Sequence, residues 1–120
     1  MSEPDKTPDT LLRELSDRLG LNYEPQDWGI VNADGARLNE FIDFFVQSRL
    51  EPTQMFELAD LILASANDCM IRGLELNLPI LLGLAERHQS TFDPHIEYWS
   101  GLSSDEEFPL SRALRTALSP

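Results

Sequence analysis

A chain of 120 residues with 42% hydrophobic side chains is long enough to bury one core, and it has no long tract that is both highly charged and poor in large apolar residues, so global disorder is excluded. Twenty-one acidic residues against nine basic ones give a formal charge of −12 and an isoelectric point near 4.3, which argues against nucleic-acid binding by phosphate neutralisation; the same surplus fits either a basic protein partner or plain solubility. Cys69 is the only cysteine, so an internal disulfide is excluded and a reducing compartment fits best.

Residues 1–7 are polar and read as a loose arm ahead of a single domain over 8–120. Thr7 and Pro8 supply an N-cap and a first helical position where proline's missing donor costs nothing. Leu11, Leu12, Leu15 and Leu19 then follow at helical spacing until Gly20 stops the helix. The N-terminus carries neither the positive region nor the apolar run of a secretory signal, and no apolar stretch approaches a membrane span. A cytoplasmic location is expected.

From Leu21 to Gly35 no period is sustained, and the stretch reads as an irregular loop. Its Tyr23, Trp28, Ile30 and Val31 should lie across the helices rather than in water. A second helix starts near Asp34 to Ala36, with Leu38, Phe41, Ile42, Phe45 and Arg49 on one side and Phe44 and Val46 widening the apolar face. Glu51-Pro52-Thr53 opens the longest helix, which runs to Arg72. Its core stripe is Met55, Leu58, Ala59, Ile62, Ala66, Cys69 and Met70, while Leu61, Leu63 and Ile71 fall outside it, so this helix should sit centrally.

Asn77-Leu78-Pro79 starts another helix, bearing Ile80, Leu81, Leu82, Leu84 and Ala85, and its short connection predicts an antiparallel neighbour of the long helix. Asp93-Pro94 repeats the start signal for a short helix through His95, Ile96, Tyr98 and Trp99. Residues 103–107 form an acidic linker, and Pro109 begins a last helix with Leu110, Leu114 and Leu118 inward and Arg112 and Arg115 outward. The expected architecture is an all-α, single-domain, irregular bundle of about six helices. Its core should include Leu15, Phe41, Ile42, Phe45, Leu58, Ile62, Ala66, Leu81, Leu84 and Leu114.

Sites for chemistry are scarce. His88, Asp93 and His95 are the only metal candidates, and they match no zinc spacing. Cys69 falls on the core stripe, where neighbouring Asp68 would raise a thiol pKa, so it reads as a small buried residue rather than a nucleophile. No glycine-rich phosphate loop and no basic patch with aromatics is present. No cofactor, metal site or enzymatic activity is expected; an unfamiliar enzyme using His88 or His95 is the weakest alternative.

What remains is acidity beside aromatics. Glu57, Asp60 and Asp68 lie on the long helix, and Asp93, Glu97, Asp105, Glu106 and Glu107 surround Tyr98 and Trp99 with no Lys or Arg between Asp93 and Glu107. An aromatic anchor in an acidic rim suits capture of a basic protein. Trp28, Tyr98 and Trp99 are the candidate anchors, although tryptophan in a small helical domain is more often core.

The stretches DWGIVNADGARLNEFIDFF, LADLILASANDCM, HIEYWSGL and EFPLSRALR, from about Trp28 onward, resemble the small acidic helical immunity proteins that bacteria encode beside their toxins. The resemblance is one of texture and scale, and it carries over no family site. It implies a cytoplasmic inhibitor that plugs a cognate toxin, commonly a nuclease with a basic groove. A chaperone or adaptor for an exported effector is the alternative.

Overall fold

In the computed structural model, which describes residues 6–102 and 107–118, Thr7 accepts from the Thr10 amide and Pro8 opens α1 (Pro8–Leu19). One face of α1 buries Leu11, Leu12, Leu15 and Leu19, as the leucine spacing requires. Lys6 reaches along it to Glu14 at 2.7 Å.

The stretch after α1 is not wholly irregular. It contains a one-turn helix, α2 (Trp28–Val31), and a 3-10 turn (Gly35–Arg37) that leads into α3 (Leu38–Gln47). Trp28 causes this order. Its indole is buried, and Nε1 donates to Ser16 Oγ at 2.8 Å while Ser16 donates to the Leu12 carbonyl at 2.8 Å, so its polar edge is satisfied inside the core. Asn32 closes the loop from the other end, accepting from the Asn22 amide and donating to the Asn22 and Trp28 carbonyls. A four-residue helix offers too little sequence for a period to show.

The longest helix, α4 (Pro52–Ile71), is capped by Glu51 and Gln54 together, and Gln54 also donates to the Leu11 carbonyl on α1. Eleven of its residues are buried, from Gln54 to Cys69. It contacts α1, α2, the 3-10 turn, α3, α6 and α7, which is the central position expected of a helix apolar on several sides.

α5 (Leu78–Arg87) starts where Asn77 accepts from the Ile80 amide. Its backbone does not approach α4; it packs against α6 (Gln89–Ser100). The antiparallel pairing expected from the short connection is therefore replaced, because α5 is tied to α6 by the single residue His88 and the flank of α4 is occupied by α6 and α7.

α6 begins at Gln89, not at Pro94. The His88 carbonyl accepts from the Thr91 and Phe92 amides at 3.0 Å each, and Phe92 is fully buried edge-on to Phe45. Burying that ring adds a turn upstream, and Pro94 is tolerated inside the helix at a solvent-exposed position. The last helix, α7 (Pro109–Leu118), buries Leu110 and Leu114, but Leu118 is exposed at the end.

Seven helices and no strand are thus found among the described residues, in an all-α fold. All ten expected core residues are buried. Of the side chains expected to widen the apolar face of α3, Phe44 is half-buried under the Arg18 guanidinium and Val46 is exposed. No helix among the described residues is long and apolar enough to cross a membrane.

Candidate functional site

Two elements flank the outer stripe of α4, and the space between them is a concavity. On one side the α2 segment lies directly on the helix. A β-carbon at Gly29 would stand 2.6 Å from Asp60 Oδ2 and 2.9 Å from the Leu61 amide, so only glycine permits this approach. Farther along, the Asp34 amide donates to Ser65 Oγ at 3.0 Å and the Gly35 amide to Asp68 Oδ2 at 2.7 Å. Arg72 bridges Asp34 and Asp68 at 3.0 Å each.

On the other side α6 runs beside α4. His95 is stacked on Phe56 with ring centroids 4.1 Å apart, its Nε2 donates to the Phe56 carbonyl at 2.8 Å, and its Nδ1 lies 3.8 Å from Asp60 Oδ1. One turn on, Trp99 Nε1 reaches Asp60 Oδ1 at 3.4 Å. Between the two flanks lies a groove of about 320 Å³, with Ile30 and Ala33 on the α2 wall, Ala64 and Ile71 on α4, and Tyr98, Trp99 and Leu102 on the α6 wall. Ile30, Ile71 and Tyr98 are each at least half exposed at its lips.

The structure gathers only part of the acidic set. Asp68, Tyr98 and Trp99 line the groove, and Asp60 lies beneath Trp99. Glu57 belongs to a different cleft of about 230 Å³, beside Pro8, Leu12, Tyr23 and Pro25. The crossing of α2 at Asp60 separates the two. Asp93 and Glu97 are exposed on α6, with no Lys or Arg at ion-pair distance among the described residues. The Glu107 carbonyl is held by Asn67 at 3.1 Å, and Asp105 and Glu106 lie outside the described residues.

Environment sorts the carboxylates further. Burial pushes the Glu57 carboxyl above its ordinary value, and nearby Asp60 adds to the effect. Burial would also raise Asp68, but the Gly35 amide and the Arg72 guanidinium outweigh it and hold that carboxyl below the usual range. Asp68 therefore fastens the α2 wall to α4, and Asp60 seats Trp99. Both carboxylates are committed within the domain.

Of the three candidate anchors, Trp28 and Trp99 are core side chains, 2% and 3% exposed, and Tyr98 at 57% is open to solvent. Ile30 and Ile71 take the place of the indoles at the lips. Ile71 was legible as an apolar residue outside the α4 stripe; Ile30 was expected to lie across the helices rather than in water, and it and Val31 are instead half exposed, because the one-turn α2 buries Trp28 and Gly29. Asn67, at the groove's end, accepts from the Leu110 amide and donates to the Glu107 carbonyl, so it caps α7 from across the domain.

Cys69 is buried, burial together with Asp68 raises its thiol pKa, and its Sγ faces the Glu75 carbonyl at 3.4 Å. His88 lies edge-on to Phe45 and His95 on Phe56, and among the described residues no three His, Cys, Asp or Glu side chains are grouped to hold a metal ion. What the surface can do is offer apolar area bordered by negative charge. Compared with known protein families, with curated proteins and with solved structures, the chain matches none.

Proposed function

We propose that this domain binds a basic protein partner and neutralises it, in the manner of a bacterial immunity protein acting on a cognate toxin. The observation that supports this reading most is the groove of α2, α4 and α6, where half-exposed Ile30, Ile71 and Tyr98 stand within a surface of net charge −12. Apolar side chains at such a site supply affinity, and the surrounding carboxylates speed encounter with a cationic partner. A cytoplasmic setting belongs to the same proposal.

The experiment is co-expression with the protein encoded beside it. The expected outcome is a salt-sensitive complex that relieves the neighbour's toxicity, and in which Asp93→Lys combined with Glu97→Lys weakens protection. Full protection by that double variant would overturn the role of α6, and absence of any complex would overturn the inhibitor reading.

A second reading, an adaptor holding an exported effector, draws on a broader apolar cleft of about 520 Å³ formed by Met70 and Leu78 with Pro109, Ala113 and Ala117 of α7. Such a cleft would serve a homodimer. Sedimentation of a strict monomer would count against the adaptor.

A further inference from the structure

We infer that the groove of α2, α4 and α6 receives an amphipathic helix of the partner, whose apolar row enters the groove and whose flanking positions carry lysine or arginine. This deepens the binding reading above and rests on it. Three observations define the occupant.

The first is that most of the groove's lining is apolar and the polar groups on its floor are largely engaged. Asp68 accepts from the Gly35 amide and Arg72, and both ends of the Asn67 amide are engaged with the start of α7. What stays open to a ligand is one Asp68 oxygen and the Tyr98 hydroxyl, few groups with which to read a sugar, nucleotide or other polar metabolite. Apolar surface is what the site can recognise.

The second is length. From Ala64 to Ile71 the groove follows α4 for eight residues, about 10 Å at the α-helical rise, which is the span of an i, i+4, i+7 row on a second helix. Ile30 and Tyr98 stand on opposite walls of this span and would close on such a row from both sides.

The third is charge. The residues that line or directly adjoin the groove include Asp34, Asp68, Glu97 and Glu107, against Arg72, which is shared by Asp34 and Asp68, and Arg115, which donates to the Leu102 carbonyl at 2.9 Å. Negative charge remains around an apolar slot. A helix with basic flanks matches it, whereas an acidic or neutral one does not.

The test uses the full chain and two fluorescein-labelled 18-residue peptides: one of leucine and lysine in an amphipathic helical pattern, the other with every leucine replaced by serine. The expected result is saturable binding of the leucine peptide, with amide shifts concentrated at Ile30, Ile71 and Tyr98. Ile71→Glu and Tyr98→Glu, both at exposed positions, should each weaken it at least tenfold even though they make the chain more acidic. Ile80→Glu on α5 should leave it unchanged. If Ile71→Glu and Tyr98→Glu bind the leucine peptide as well as wild type, or the serine peptide binds equally, attraction is by charge alone; the groove inference then falls while the basic-partner reading stands. Shifts centred on the α4, α5 and α7 cleft instead would also overturn it. Failure of both peptides to bind at low salt would remove the basic-partner reading as well.

Discussion

Gly35 and Cys69 meet backbone to backbone: a β-carbon on Gly35 would lie 2.5 Å from the Cys69 amide nitrogen and 2.6 Å from its Cα. Neither atom can yield without moving α4. Gly35→Ala should therefore lift the α2 wall and destabilise the domain by about 1–3 kcal/mol, read from the urea midpoint. Gly83→Ala is the contrast, because a β-carbon there meets only the Arg87 side chain at 3.6 Å. It sits within α5 and should stabilise by about 0.5–1 kcal/mol. Equal effects of the two would refute the close approach.

The residue that meets Gly35 also carries the one thiol, whose Sγ faces the Glu75 carbonyl. Cys69 is 1% exposed, and its pKa is raised by burial first and by Asp68 second. Labelling by a disulfide reagent at pH 8 should be slow in the wild type, accelerate in Gly35→Ala, and become complete in urea. Prompt labelling of the native wild type would show that the cover is absent.

Asn67 should matter more than a polar residue on a central helix usually does. Asn67→Ala leaves the Leu110 amide and the Glu107 carbonyl without their partner, at a cost of about 1–3 kcal/mol. Hydrogen exchange should rise first in α7. Asn67→Asp, which can still accept from Leu110 but cannot donate to Glu107, should fall between the two.

The two shifted carboxylates of α4 pull stability in opposite directions with pH. Glu57 has a raised pKa, so its favourable contribution is present below the ordinary glutamate value and lost as pH rises through the raised one. Asp68 has a lowered pKa; its contribution is present above the ordinary aspartate value and lost as pH falls through the depressed one. Glu57→Gln should accordingly stabilise the domain at pH 7, with the gain shrinking towards pH 4. Asp68→Asn should destabilise at pH 7, with the loss shrinking in acid. Thermal melts across this range check both, and gaps independent of pH would contradict the assignment.

Phe45 joins α3 to the bend between α5 and α6, with its ring edge-on to His88 at 5.0 Å and to Phe92 at 5.5 Å. Phe45→Ala should cost about 3–5 kcal/mol. A loss below about 1 kcal/mol in chemical denaturation would show that the cavity collapses or that the ring is not a core member.

The helices were legible where sequence carries several turns of period or a cap. Thr7-Pro8, Glu51-Pro52 and Asn77 each mark a helix start that the structure contains. Local signals misled where tertiary burial decides. Asp93-Pro94 has the form of a start, yet burial of Phe92 draws the helix back to Gln89. Leu118 continues the spacing of Leu110 and Leu114 but has no neighbour left to cover it.

For the site, the acids of α4 were visible but their separation was not, because the crossing of α2 at Gly29 depends on a contact between residues 31 positions apart. A glycine in a loop reads as a turn, and its fit against another helix leaves no local trace. Asn67 was hidden for the same reason, since its partners lie some 40 residues downstream.

With every helix but α5 leaning on α4, the domain has one mast, and α6 and α7 are lashed to each other as well. Damage to that helix leaves nothing standing, so its segments should come apart together rather than in sequence. α5 is the exception in its backbone, which comes near α6 alone, yet its Leu81, Leu84 and Ala85 enter the shared core. Pulling α5 away would open that core, so it is bound into the same collapse.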